Sequence, residues 1–149
     1  MQDSLNHLLA TPVGFAVFFI ALWCSICYLI SFMSGWLTLA RRFRSESDPF
    51  GDTRNAGPYF YTVYLRYWTH YSSVIRLTAA EDALYLSVLL IFRIGHPPLR
   101  IPWKEITFSR TRRFWFRYVV LTLGEQERIP VRIPERMARK LGILERMGG

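Results

Sequence analysis

Between Asp3 and Arg41 the chain carries no aspartate, glutamate, lysine or arginine. Inside that uncharged stretch, the 21 residues Val13–Met33 (VGFAVFFIALWCSICYLISFM) are almost continuously apolar. A helix rises about 1.5 Å per residue, so a run of this length matches a hydrocarbon core of about 30 Å. Its aromatic and β-branched residues go all the way round, which argues for lipid rather than for one buried face. Residues 1–11 lack any lysine or arginine, and the apolar run is longer than the h-region of a secretory signal. A retained anchor is therefore expected.

Cysteine is almost absent. Cys24 and Cys27 are the only two, and both lie in the apolar run. The rest of the chain has no thiols for a disulfide framework or a thiolate metal site, which fits a reducing compartment. The pair forms a C-x-x-C spacing, but no histidine or carboxylate accompanies it inside the run, so redox or metal chemistry is not expected. Lysine is scarce too: only Lys104 and Lys140 occur, against 17 arginines, in a chain of net charge +8. Arginine excess suits anionic partners, and a GC-rich genome would produce the same bias. There is no P-loop, G-x-S-x-G, H-E-x-x-H or G-x-G-x-x-G motif. His7, His70 and His96 are isolated, while Glu81-Asp82 and Glu125-x-Glu127 read as solvated turn carboxylates. A non-catalytic chain without a cofactor or metal is expected.

Charge flanking the run gives it a direction. Arg41, Arg42 and Arg44 follow it and no base precedes it, so the long C-terminal part should stay on the cytoplasmic side. Trp36 beside those arginines suits an interfacial anchor. Ala21, Cys24, Ser31 and Gly35 project to about one side of the helix, where small residues would admit a second transmembrane helix. The expected organisation is an external N-terminus (1–12), a transmembrane helix with a basic extension (13–44), a polar linker rich in proline and glycine (45–58) and one cytoplasmic domain (59–149).

Within that domain the hydrophobic period becomes two, which predicts antiparallel strands. Strands are expected over Tyr59–Trp68, Val74–Thr78, Leu84–Ile94, Leu99–Trp103, Phe114–Leu123 and Ile129–Ile133, six or seven in all. Pro130 places the last one at a sheet edge. Pro134 then opens a terminal helix with Met137, Leu141 and Leu144 on its apolar face. The fold class is α+β: an apolar helix, a small antiparallel barrel or sandwich and a closing helix.

The segment Leu84–Ile106, with its Ile101-Pro102-Trp103-Lys104-Glu105-Ile106 turn, and the pairing of Val131–Ile133 with the helix Pro134–Arg146 resemble the bacterial pleckstrin-homology-like domain. That resemblance covers roughly Tyr59–Met147. It implies a strongly bent sheet forming an open barrel with one end plugged by the terminal helix. It also implies a small bacterial inner-membrane protein of anchor-plus-domain type. The expected first hairpin turn, Thr69–Ser73, has no lysine or arginine, so the phosphoinositide site of eukaryotic members is not carried over.

One cluster remains. Arg110, Arg112, Arg113 and Arg117 interleave with Phe114, Trp115 and Phe116. Guanidinium groups bond phosphate in pairs and aromatics favour the membrane interface, so the segment reads as a lipid or anion surface. The alternative is a solvated strand with its aromatics in the core. Nucleic acid is not expected as a partner for a tethered single domain. The functional expectation is a protein-binding or assembly module, bound to another membrane protein or to itself. The alternatives are an anionic-lipid sensor and an accessory subunit of a membrane enzyme or transporter.

Overall fold

A computed structural model describes residues 1–9, 11–46, 60–65 and 69–148. A short helix α1 (Gln2–Leu9) precedes α2 (Pro12–Ser34), which is long and apolar enough to cross a membrane. Proline suits the first turn of α2, and the Thr11 hydroxyl accepts the Gly14 N–H at 3.1 Å, capping that end. Gly35 ends the helix in the left-handed region at φ 81°, a conformation that glycine adopts freely.

That break sets the direction of α3 (Trp36–Phe43). Trp36, Leu39, Ala40 and Phe43 recur at the i, i+3, i+4, i+7 spacing of one helical face, and all four are buried in the main hydrophobic core. This apolar face packs on the domain. Trp36, expected as an interfacial anchor, is instead 0% exposed, and its indole N–H donates to the Pro97 carbonyl at 2.9 Å.

Seven strands follow: β1 (Phe60–Leu65), β2 (Thr69–Ala79), β3 (Ala83–Val88), β4 (Leu99–Pro102), β5 (Ile106–Arg113), β6 (Phe116–Leu123) and β7 (Ile129–Pro134). They pair antiparallel in the order β4-β3-β2-β1-β7-β6-β5. Among the described residues, two halves, β1–β4 and β5–β7, meet at a narrow seam formed by the pairs Tyr64↔Arg132 and Leu65↔Val131. No β4–β5 pairing closes the sheet among the described residues. Alternate residues such as Leu84, Leu86, Val119, Leu121, Val131 and Ile133 turn inward to the same core as α3.

Several expected boundaries shift. Thr69–Ser73 is not a turn but the start of β2, and the β1–β2 connection at 66–68 lies outside the described residues, as does most of the 45–58 linker. β7 is an interior strand, not an edge. Pro130 lies opposite Thr122 of β6, and among the described residues the β1–β7 pairing runs from Tyr64↔Arg132 to Leu65↔Val131. The single terminal helix is two, α4 (Glu135–Lys140) and α5 (Ile143–Met147), divided by Gly142 at φ 67°. Met137, Ala138 and Ile143 bring this pair into the core. Arg146 fastens its end, with its guanidinium 4.5 Å over the Trp103 ring and an N–H on the Ala80 carbonyl at 3.1 Å.

Trp36 joins the apolar helix to the domain, so its truncation should be severe. Trp36→Ala is expected to destabilise the domain by about 3–5 kcal/mol. Trp36→Phe, which keeps most of the ring and loses the hydrogen bond, should cost far less, about 1 kcal/mol. Denaturant midpoints of the full chain in mild detergent, followed by near-UV circular dichroism, measure both. Equal midpoints for wild type and Trp36→Ala would contradict this packing.

Candidate functional site

Two surfaces stand out, and both present apolar groups. The first is the β5–β6 hairpin. Its register runs from Ile106↔Leu123 to Arg113↔Phe116, leaving Phe114 and Trp115 as a two-residue tip. Phe114, Trp115 and Phe116 are 82%, 88% and 66% exposed, so these aromatics are not in the core. Phe114 has φ 55°, a conformation in which a bulky side chain crowds its own carbonyl at a cost of about 1–2 kcal/mol. Arg112 and Arg117 lie directly opposite each other, a like-charge pairing that weakens a hairpin. Among the described residues, no carboxylate forms an ion pair with Arg110, Arg112, Arg113 or Arg117. The hairpin thus brings all four arginines and Trp115 together, and three local features oppose the stability of its isolated tip.

The hairpin base is held differently. Glu105, just before β5, accepts a hydrogen bond from Arg42 of α3 at 2.8 Å, and Arg42 also reaches Glu127 at 3.5 Å. Arg42 therefore braces the domain, whereas its neighbours Arg41 and Arg44 are exposed. Eight residues of strand at about 3.4 Å each put the tip about 25 Å from that brace. The outer edge of β5 pairs with nothing among the described residues, while the β4 edge is met by Arg44, which bridges Leu99.

The second surface is the connection between β3 and β4. Sequence alternation through Leu90, Phe92 and Ile94 predicted continued strand. The chain instead leaves the sheet after Val88, makes a 3₁₀ turn at Leu90–Phe92 and lies along α2. Phe92 meets the Trp23 ring with centroids 5.4 Å apart, and the Trp23 indole donates to the Ile91 carbonyl at 3.2 Å. The Ser31 hydroxyl donates to the Gly95 carbonyl. Gly95 sits at φ 76°, and a Cβ there would come within 3.2 Å of the Tyr28 Cα. Only glycine permits so close an approach. Leu90 and Ile91 are 74% and 62% exposed beside the helix.

This contact reassigns the small-residue face of α2. Ser31 and Gly35 are buried against the chain's own loop and domain, and Cys24 is half-buried. Ala21 alone of that set remains exposed. The space expected for a second helix at Ser31 and Gly35 is thus filled from within. The signal for the loop was present in the sequence as an apolar run, LLIFRI, too long for β3 and followed by Gly95-His96-Pro97-Pro98.

The remaining candidates are structural. His70 is exposed and stacks on Tyr64 at 4.6 Å. Asp82 pairs with Arg100, whose hydrogen bond holds the carboxyl below its usual range. Among the described residues, no group of three or more His, Cys, Asp or Glu could hold a metal. No protein-family model matches the chain, and neither curated proteins nor solved structures contain a match.

His96 is the buried titratable group of the loop. It lies edge-on to Trp36 at 5.4 Å, and its Nδ1–H faces the Ile94 carbonyl at 3.3 Å. A carbonyl only accepts, so this contact is a hydrogen bond in the tautomer that carries its proton on Nδ1. Burial pushes its pKa below the ordinary value of about 6.5, against a smaller upward pull from the Ile94 and Phe92 carbonyls. The unfolded chain then binds a proton more readily than the folded one. The His96 contribution to stability is complete above about pH 6.5 and is lost as the pH falls from there through the depressed folded value. The midpoint loss from pH 7.5 to 5.5 should accordingly be larger for wild type than for His96→Gln. Parallel pH profiles of the two denaturation midpoints would contradict it.

Proposed function

We propose that this chain is a non-catalytic, single-pass protein of the bacterial inner membrane. In this reading its N-terminus lies outside, and its cytoplasmic domain is a pleckstrin-homology-like module that binds another membrane protein. The helix Pro12–Ser34 and its flank Arg41, Arg42 and Arg44 support the membrane placement. Two sheet halves meeting at a narrow seam, with α4 and α5 packed into their core, support the domain reading.

The observation that carries the binding role is the β5–β6 tip: three exposed aromatics on a strained turn, flanked by four arginines. Aromatic and arginine side chains dominate the binding energy of protein interfaces. A strained, like-charged, apolar tip gains from a partner that neutralises the guanidiniums and covers the rings. The β5 edge beside it, unpaired among the described residues, can accept an extended segment by main-chain pairing. An acidic partner segment fits both features. A second copy would present the same arginines, so charge favours a different protein. Tethering raises the effective concentration of the tip for membrane partners without further contacts. The same tip also fits an anionic bilayer surface, and service as an accessory subunit of a membrane enzyme or transporter would be one form of the protein-binding role.

A photo-reactive benzophenone side chain at position 115 of the full-length protein, activated in cells, tests the reading. A discrete protein cross-link is expected. In cells carrying a benzophenone at Thr111 on β5, Trp115→Ala with Phe116→Ala should cut the yield about tenfold or more. Phe114→Gly should relax the turn and stabilise the domain by about 1 kcal/mol, so any loss of cross-linking in that variant reports lost contact rather than unfolding. Cross-links to lipid alone would favour the sensor reading and overturn the protein partner.

A further inference from the structure

Two clefts meet at the end of α2. The polar one, of about 410 Å³, is lined by Arg41, Arg44 and Arg93, with Tyr28 and Pro97 closing its sides. The apolar one, of about 700 Å³, runs along Cys24, Tyr28, Leu29 and Phe32 of α2, with Ile94 of the β3–β4 loop as its other wall. Tyr28 belongs to both. At about 1.5 Å per residue, Tyr28 lies about 9 Å and Cys24 about 15 Å inside the Ser34 end of the helix. The arginines Arg41 and Arg44 come after that end. One continuous surface thus changes from basic to apolar in the direction in which a phospholipid changes from phosphate to acyl chain.

The loop is built for such a position. The Leu89, Leu90 and Arg93 carbonyls accept the N–H groups of Phe92, Arg93 and His96 at 2.9, 3.2 and 3.0 Å. The Ile91, Gly95 and Pro97 carbonyls accept from Trp23, Ser31 and Trp36. Irregular backbone at the level of hydrocarbon requires this internal satisfaction. The exposed side chains of Leu90, Ile91 and Ile94 continue the apolar surface of α2.

We propose that the composite cleft binds one anionic phospholipid, its phosphate among Arg41, Arg44 and Arg93 and an acyl chain in the groove between α2 and Ile94. Guanidinium groups match a phosphate with paired hydrogen bonds, and among the described residues no carboxylate lines the cleft to hold a choline or ethanolamine cation. The site is separate from the hairpin tip and rests on α2 spanning a bilayer.

The test uses full-length protein in mild detergent and native mass spectrometry. Phosphatidylglycerol and phosphatidylcholine of equal chain length are offered together. One phosphatidylglycerol should be retained in roughly tenfold preference or more. Arg41→Gln with Arg44→Gln should abolish the preference, and Leu29→Trp should weaken retention by filling the groove. Lys104→Gln with Arg136→Gln, which removes the same charge elsewhere, should leave it intact. Equal retention of the two lipids, equal loss in the two double variants, or displacement by millimolar inorganic phosphate would each overturn the site. Alkaline carbonate washing of membranes separates the premises: release of the protein would overturn the span and the site together, whereas retention without lipid preference would overturn the site alone.

Discussion

A backbone carbonyl packed against an apolar helix needs a donor from the protein itself, and the loop between β3 and β4 is built around that constraint. Its carbonyls are met by N–H groups of the loop, by Trp23 and Ser31 on α2, by Trp36 on α3 and by the Ser45 N–H, which donates to Pro98. Trp36 also fills the domain core, so the same residue that satisfies Pro97 ties the domain to the end of the apolar helix. Gly35 makes this possible by turning the chain sharply between the two helices, and Gly95 by letting the loop backbone approach Tyr28. Helix, loop and sheet are coupled through these contacts, so α2 is part of the domain's packing.

This coupling divides the arginines by role. Arg42 turns toward Glu105 and Glu127 and braces the hairpin base, while the exposed Arg41 and Arg44 line a cleft with the half-buried Arg93. The hairpin arginines lie at the far end of two eight-residue strands. A chain of net charge +8 therefore presents two distinct basic surfaces. The one beside α2 adjoins an apolar groove, and the one at the tip surrounds exposed rings on a strained turn. Those different surroundings are why we propose different ligands, a phospholipid for the first and an acidic protein segment for the second.

The long apolar helix, the period-two strands, the inward residues of β3, β6 and β7 and the basic-aromatic cluster were legible in the sequence, because each depends on local composition or spacing. β5 was not read as a strand of its own, since only Ile106 is buried along it and its polar residues face outward. The end of β3 was overrun because Leu90, Phe92 and Ile94 keep the alternation while serving a contact with α2 instead of the sheet. Trp36 misled for a similar reason: an indole beside arginines after an apolar run suits either the membrane interface or a core, and only the turn at Gly35 decides between them. The small face of α2 carried a true signal for close packing, and the packing partner proved to be the chain's own loop. No spacing rule reports a contact 64 residues away, as between Ser31 and Gly95.

The central claim is that α2 and the β3–β4 loop enter the bilayer together. A nitroxide label at Ile91 of the full-length protein, reconstituted into lipid bilayers, tests it most directly by collision rates with oxygen and with a water-soluble nickel chelate. The account predicts that oxygen collisions dominate at Ile91, as within hydrocarbon. Dominant collisions with the nickel chelate would place the loop in water and contradict it.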